Sequence, residues 1–210
     1  MIQQPMNPQL TQRVGIFVFD EMEVLDFAGP FEVFTTASRV HARTRRAGPA
    51  PFSVFTVGQS QAPVKARAGL TVTPSQGFAT HPPIDLLVIP GGVVSAPLAN
   101  PDVIDWIAAC AANSRITASV CTGAFLLAQA GLLDGKAATT HWEDRAELQA
   151  RFPALQVEHG VRWVDAGQIV TSAGISAGID MSLHLVERLT DRALAEATAR
   201  QMEFEWTENA

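Results

Sequence analysis

The sequence predicts an α/β fold in which a mostly parallel sheet carries helices on both faces. Four short runs of apolar and β-branched residues have the composition of buried parallel strands. They lie at residues 14–19, 52–57, 84–89 and 116–120. Segments with helical patterning follow these runs, and strands that alternate with helices build a parallel sheet of this kind. We find no internal repeat or linker, so residues 13–210 are expected to form one domain behind a flexible tail at 1–12.

The elements of the first half each have a local signal. A loop at 20–25 follows the first strand, and Pro30 sits where a first-turn proline belongs, at the start of a short helix. The basic cluster at 39–46 lacks a glycine-rich loop or aromatic partners, which favours a solvated helix end over a phosphate site. Alternating residues around Gly69 predict a small hairpin within 64–73.

The second half continues the alternation of strands and helices. The third strand ends in a Pro-Gly-Gly turn, and the fourth runs into a helix that Gly131 stops. Ser176 and Asp191 are placed to cap the last two helices, which we expect to reach about residues 189 and 205. The other predicted elements are helices at 101–113 and 142–151, a turn with a short strand at 134–142, and short strands near 157, 161–164 and 169–171.

Composition restricts the class of protein. With 47% hydrophobic and 17% charged residues, the chain has the composition of an ordinary soluble globular protein. The formal net charge of −6 and the isoelectric point near 5.3 argue against nucleic-acid and anionic-membrane partners. No apolar run approaches the length of a membrane span, and the polar N-terminus has no signal-peptide core, so we expect a cytoplasmic location. The two cysteines fit a reducing compartment.

Cys121 is the candidate nucleophile. It lies between the strand at 116–120 and the following helix, a junction that a parallel sheet exposes at its carboxyl edge, where ligands bind. The positive end of the helix dipole is expected to lower the pKa of the thiol and favour the thiolate. Gly123 leaves room for close approach. The alternative role, a small residue that fills the core, fits Cys110 better, because Cys110 sits in an apolar helical run.

A thiolate that adds to an electrophilic carbon needs hydrogen-bond donors for the developing charge and a carrier for the proton. The backbone N–H groups near Gly91 and Gly92, together with that of Thr122, are the predicted donors, although a Gly-Gly pair equally serves a tight turn. Asp26 is the predicted proton carrier because its apolar neighbours would bring it inward, and burial near the thiolate would raise its pKa. Glu23 is its rival.

His141 is a further candidate base, and Trp142 beside it is a candidate wall of the pocket. A lone histidine is more often a structural hydrogen-bonding residue, and that alternative stays open. The sequence contains no His-Glu-x-x-His, Cys-x-x-Cys, P-loop or Gly-x-Gly-x-x-Gly pattern, so we expect neither a metal nor a nucleotide cofactor.

Five segments, in this order, resemble the ThiJ/PfpI family of the class I glutamine amidotransferase-like superfamily. They are LDFAGP (25–30), LVIPGG (87–92), SVCTGAFLLA (119–128), ATTHW (138–142) and GISAGID (174–180). The likeness runs from about residue 14 to residue 189. Within the family the combination is most similar to isonitrile (isocyanide) hydratases, and it is also similar to the ligand-binding halves of AraC-type transcription regulators.

The resemblance implies a flavodoxin-like three-layer sandwich, usually a homodimer, with a strained nucleophile elbow at Cys121 and no cofactor. By analogy with the hydratases, Cys121 would attack the carbon of a small-molecule isonitrile to form a thioimidate-like adduct. Asp26 would manage protons and position the water, and Thr122 would assist through its N–H or hydroxyl. The product would be an N-substituted formamide.

Other activities remain open at this point. The peptidase and glyoxalase branches of the family typically use a glutamate from the first loop, and Glu23 stands near that position. Peptidases of the family usually carry a histidine directly after the cysteine, where this chain has Thr122. A non-catalytic ligand sensor is the alternative from another class, although chain length and charge lead us to expect no DNA-binding domain. An exposed thiol of low pKa would also suit redox sensing.

Overall fold

The computed structural model describes residues 11–44 and 48–209. Its strands are β1 (Gln12–Phe17), β2 (Phe52–Gly58), β3 (Val64–Lys65), β4 (Thr71–Val72), β5 (Gln76–Gly77), β6 (Leu86–Ile89), β7 (Ile116–Val120), β8 (Ala137–Ala138), β9 (Gln156–Val157), β10 (Trp163–Asp165) and β11 (Ile169–Ser172). Its α-helices are α1 (Val24–Thr44), α2 (Ser95–Leu98), α3 (Pro101–Asn113), α4 (Gly123–Gln129), α5 (Arg145–Arg151), α6 (Ala177–Leu189) and α7 (Arg192–Gln201).

Seven strands form the central sheet, in the order β10-β11-β7-β6-β1-β2-β5. Neighbouring strands run parallel except β10, which is antiparallel to β11. Strand β7 pairs with β6 on one side and with β11 on the other, so the residue after β7 lies near the middle of the sheet's carboxyl edge. The predicted parallel sheet is confirmed, and the hairpin predicted around Gly69 is the β3–β4 ribbon.

Apolar cores on the two faces of the sheet hold the helices in place. Helices α1, α6 and α7 pack on one face through buried side chains that include Phe34 and Met181. Helices α3 and α4 pack on the other face, where Ile107 and Leu126 are fully buried. Burial of one such side chain stabilises the fold by about 1.5–3 kcal/mol. The result is the three-layer α/β sandwich that the resemblance implies.

Helix α1 corrects the prediction around Pro30. The helix begins at Val24 and runs for 21 residues, so Pro30 lies inside it and does not mark the first turn of a short helix. A proline at this position removes the backbone bond to the carbonyl of Asp26. The helix continues past it because buried residues such as Val33 and Phe34 hold one face against the sheet. Asp26 therefore belongs to the first turn of a helix and not to a loop.

Smaller differences concern element ends. The side chain of Asp191 caps α7 as predicted, but Ser176 makes no capping hydrogen bond and instead accepts one from Arg162. Helix α7 ends at Gln201, before the predicted residue 205, and α5 begins at Arg145 because residues 142–144 form a turn.

Some predicted features lie partly outside the described residues. Residues 1–10 of the predicted tail and residues 45–47 of the basic cluster belong to this group, whereas Gln12 already lies in β1. Within the described part of the chain, no helix combines the length and the apolar character required to cross a bilayer.

Candidate active site

Cys121 occupies a sharp turn between β7 and α4. Its φ is 56°, a left-handed conformation that is unfavourable for a residue with a side chain. The backbone N–H of Cys121 donates to the carbonyls of Ser172, at 3.2 Å, and Ala173, at 3.3 Å, where β11 ends. The strained elbow that the resemblance implies is thus present, and it is fastened to the neighbouring strand.

The carboxyl group of Asp26 lies beneath this elbow and is fully buried. Its Oδ2 accepts a hydrogen bond from the N–H of Gly91 at 3.0 Å. Its Oδ1 has no partner of regular hydrogen-bond geometry among the described residues. Burial raises the pKa of Asp26 to about 7, with a smaller contribution from the charge of Glu23 and against the lowering effects of the Gly91 N–H and the Cys121 thiol. The sequence-based prediction of a raised pKa is confirmed.

The thiol of Cys121 departs from the prediction. Burial, together with the negative charges of Asp26 and Asp144, raises its pKa to about 12. The N–H groups of Thr122 and Ile175 act in the opposite direction because they donate toward the sulfur. The predicted lowering by the helix dipole is wrong, since α4 has only seven residues and the sulfur is buried beside a carboxyl group. The resting group is therefore a thiol, and attack on an electrophile would require a base to take its proton.

The glycines after β6 shape the site without offering the predicted donors. The N–H of Gly91 is used by Asp26, and the N–H of Gly92 donates to the hydroxyl oxygen of Thr122 at 2.8 Å. That hydroxyl in turn donates to the carbonyl of Gly92 at 2.9 Å. A Cβ atom on Gly91 would lie 2.6 Å from the Thr122 nitrogen and 3.0 Å from Asp26 Oδ2. Gly91 and Gly92 therefore hold the Asp26 and Thr122 side chains in place. Of the three predicted donors, only the N–H of Thr122 faces the sulfur.

A cavity of about 240 Å³ opens above the sulfur. Its lining residues are Glu23, Arg67, Gly92, Cys121, Thr122, His141, Glu143, Asp144 and Ile175. Glu23 lies 3.6 Å from Arg67 across the mouth, so its carboxylate is paired there. The described residues around the cavity contribute three carboxylates against one arginine and one histidine, which makes its wall negative.

The side chains of His141 and Trp142 lie in different surroundings. His141 lines the cavity, packs against the backbone of Gly174, and has its Nδ1 3.4 Å from Asp144 and 3.6 Å from Glu143. Trp142 is 68% exposed and does not line the cavity, so its predicted role as a pocket wall is wrong. In a loop, alternate side chains can point to opposite sides, and the indole here points to solvent.

Sequence reasoning missed several residues of the site. Arg67 reaches the mouth from the turn between β3 and β4, and Asp144 precedes α5. Ile175 lies in the loop before α6 and has a φ of 51°, a left-handed conformation that is rare for a β-branched residue. The GISAGID segment was the available signal for Ile175, whereas nothing local marks Arg67. Among the described residues, no group of three or more His, Cys, Asp or Glu side chains is arranged to hold a metal ion.

Comparison with known sequences gives matches over most of the chain. A family model described as the DJ-1/PfpI family matches residues 12–188. Isonitrile hydratase of Pseudomonas putida is 33% identical over 193 residues, which cover 91% of this chain and 78% of that protein. The HTH-type transcriptional regulator GbdR of Pseudomonas aeruginosa is 30% identical over 97% of this chain but only 53% of its own length. The chain therefore spans about half of that regulator.

Comparison with solved structures agrees. A ThiJ/PfpI family protein from Pseudomonas syringae superimposes with a TM-score of 0.82 at 30% identity, over 95% of this chain and 78% of that chain. Drosophila melanogaster DJ-1beta superimposes with a TM-score of 0.79 over 94% of this chain and 100% of that chain, at 18% identity. The second likeness concerns the fold alone.

Proposed function

We propose that this chain, which belongs to the DJ-1/PfpI family, is a cofactor-independent cysteine enzyme that hydrates a small isonitrile to an N-substituted formamide. The observation that carries the proposal is the fully buried Asp26 carboxyl beside the Cys121 thiol, where each group acts on the pKa of the other. A thiol with a pKa of about 12 is unreactive unless a base takes its proton, and a carboxyl with a pKa of about 7 is ionised half of the time near neutrality. The similarity to the Pseudomonas putida hydratase supports the choice of substrate.

In the first step, the sulfur of Cys121 attacks the terminal carbon of the isonitrile and a C–S bond forms. The carboxylate of Asp26 accepts the thiol proton and delivers it to that same carbon. The product is a thioimidate in which the former isonitrile carbon carries one hydrogen and a double bond to nitrogen. The N–H groups of Thr122 and Ile175, which face the sulfur, stabilise negative charge as it develops there.

In the second step, water attacks the thioimidate carbon while Asp26 takes one of its protons and passes it to the nitrogen. The C–S bond then breaks, the remaining hydroxyl proton returns to sulfur, and a formamide leaves. One water is consumed for each isonitrile, so the reaction needs no oxidant or reductant. Burial of Asp26 suits both steps, because a group with a pKa near 7 can accept and release a proton at neutral pH.

The test is formamide production from a panel of alkyl and aryl isonitriles. We expect Cys121→Ala to abolish turnover and Asp26→Asn to reduce kcat by at least about a hundredfold. Cys110→Ser is the matched control, because Cys110 lies on α3 outside the cavity, and it is expected to retain parent activity. If no isonitrile is turned over by freshly reduced parent chain, the proposal is wrong.

A ligand sensor is the second candidate, and the identity of 30% with the GbdR regulator over 97% of the chain favours it. In that case the cavity would bind a small molecule without changing it. Calorimetric binding of an isonitrile or another small electrophile, with full recovery of the unchanged ligand, would support the sensor. Specific DNA binding by the chain in a mobility-shift assay would do so as well.

We also propose that the chain forms a homodimer and is located in the cytoplasm. The family resemblance supports the dimer, and the free thiols of Cys110 and Cys121 suit a reducing compartment. Sedimentation equilibrium of the whole chain tests the first, and fractionation of producing cells tests the second.

A further inference from the structure

Thr140 lies outside the cavity but contacts the elbow from below. It is fully buried, and its hydroxyl donates a hydrogen bond of 2.8 Å to the carbonyl oxygen of Cys121. The same carbonyl accepts a longer bond, 3.3 Å, from the N–H of Ala124. Thr140 therefore supplies the shorter of these two bonds, and it does so from a side chain on another segment of the chain.

The segment that carries Thr140 is itself held firmly. The N–H of Thr139 donates to the hydroxyl oxygen of Thr171, on β11, at 2.8 Å. The hydroxyl of Thr139 donates to the carbonyl of Glu158 at 3.1 Å. These bonds fix the backbone beside Thr140 before any ligand arrives, so its hydroxyl is a preorganised donor.

The consequence for the elbow follows from peptide geometry. The carbonyl of Cys121 and the N–H of Thr122 belong to one planar trans peptide unit, in which the C=O and N–H bonds point in opposite directions. A donor that holds the carbonyl on one side therefore aims the N–H to the other side, where the Cys121 sulfur lies. A hydrogen bond to the carbonyl also polarises the peptide unit and strengthens its N–H as a donor.

We propose that Thr140 is a positioning residue that aims the Thr122 N–H at the Cys121 sulfur through its bond to the carbonyl of the same peptide unit. Without this bond only the longer one from Ala124 holds the Cys121 carbonyl, and the peptide unit rotates more easily toward a less strained conformation. The inference rests on the proposed function in one respect, since it requires Cys121 to be a reactive group.

The measurement that tests this role is the pH dependence of Cys121 alkylation by iodoacetamide, followed by mass spectrometry in a Cys110→Ser background. Iodoacetamide is neutral and reports the thiolate directly, whatever the natural substrate is. Thr140→Val keeps the shape and removes the hydroxyl. It is expected to slow alkylation at neutral pH by about tenfold and to move the rate rise to higher pH, as the loss of one donor implies.

Companion variants separate positioning from general destabilisation. Thr140→Ser restores the hydroxyl and is expected to return the rate to within about twofold of the parent. Thr198→Val is the matched control, because Thr198 is equally buried and its hydroxyl donates to the carbonyl of Leu194 at 2.7 Å on α7, away from the elbow. It is expected to lower the unfolding midpoint while it leaves the alkylation profile unchanged. Thr140→Ala, a second hydroxyl-free variant, is expected to alkylate as slowly as Thr140→Val.

Parent-like alkylation of Thr140→Val or Thr140→Ala would overturn the inference. An equal slowing in Thr198→Val, or no rescue by Thr140→Ser, would overturn it as well. If Cys121 of the parent chain is alkylated as expected but the chain hydrates no isonitrile, the proposed function is wrong and the test of Thr140 still holds. The two proposals therefore fail separately.

Discussion

The carboxyl group of Asp26 and the thiol of Cys121 form one buried acid pair, although they come from the first turn of α1 and the end of β7. The pair places a carboxyl with a pKa of about 7 beside a thiol with a pKa of about 12. The proton therefore rests on sulfur, and in the proposed reaction the carboxylate is the base that removes it.

Burial of Asp26 predicts a pH-dependent loss of stability. Its folded-state pKa of about 7 lies above the ordinary value of 3.8, so the folded state keeps a proton that the unfolded chain has already released. The contribution of Asp26 to the free energy of unfolding is full below pH 3.8 and is lost as the pH rises through about 7. The total change is of the order of 4 kcal/mol. Urea denaturation of parent chain and Asp26→Asn should differ most at alkaline pH, with the variant more stable.

Asp85 provides a control of opposite sign. Its hydrogen bonds to Arg13 lower the pKa of that carboxyl, so it stabilises the fold at neutral pH and loses this effect as the pH falls through its folded-state pKa. Asp85→Asn should therefore be less stable than the parent at neutral pH. Parallel pH curves for parent chain and Asp26→Asn would contradict the buried-carboxyl interpretation.

Glu23 should tune the proton carrier without replacing it. Its negative charge raises the pKa of Asp26, so Glu23→Gln should move the acidic limb of the pH–rate profile to lower pH. Because its carboxylate is paired with Arg67 at the mouth, the maximal rate should change by no more than about threefold. The kcat and KM values of the variant across pH provide the measurement. A loss as large as that of Asp26→Asn would make Glu23 the acid instead.

Gly91 should tolerate no side chain. A methyl group there would lie 2.6 Å from the nitrogen and from the hydroxyl oxygen of Thr122, so the elbow must shift. We expect Gly91→Ala to reduce activity by at least about a hundredfold while the chain still folds, because a misplaced reacting group costs this much. Gly77→Ala is the control, since its added methyl would meet Ser60 at an ordinary distance of 3.4 Å. Circular dichroism and formamide production distinguish the two variants, and an active Gly91→Ala would contradict the packing argument.

The negative wall of the cavity should select among charged reagents. Glu143 and Asp144 line it, and the arginine at the mouth is already paired with Glu23. A cationic methanethiosulfonate should modify Cys121 faster than an anionic one by about three- to tenfold, once both rates are divided by those of a small free thiol. Added salt should reduce the ratio.

Two variants locate the source of this preference. Asp144→Asn should lower the ratio. Glu203→Gln should leave it unchanged, because Glu203 lies with Arg43 and Thr44 near the C-terminal end of α1 and does not line this cavity. Equal rates for the two reagents in the parent chain would show that the charges of the cavity wall do not affect the modification of Cys121.

Local patterns predicted most of the framework. Continuous apolar runs identify β1, β2, β6 and β7, because strands buried on both faces need apolar side chains along their whole length. The start of α1 was missed because Pro30 mimics a helix start, and only packing against the sheet shows that the helix passes through it. The Gly91 and Gly92 N–H groups were assigned to a ligand because a sequence does not reveal that Asp26 and Thr122 already accept from them.

The sequence by itself determined the α/β architecture, the place of Cys121 at a strand end, and the inward turn of Asp26 among apolar neighbours, because each depends on residues close together in the chain. The tertiary structure decided where the proton rests, which donors face the sulfur, and which residues wall the cavity. A pKa depends on burial and on nearby charges, and here both come from segments that only folding brings together. The dipole of α4 alone would lower the pKa of the Cys121 thiol. Burial and the neighbouring carboxyl groups instead keep the thiol protonated, beside a carboxylate that can accept its proton.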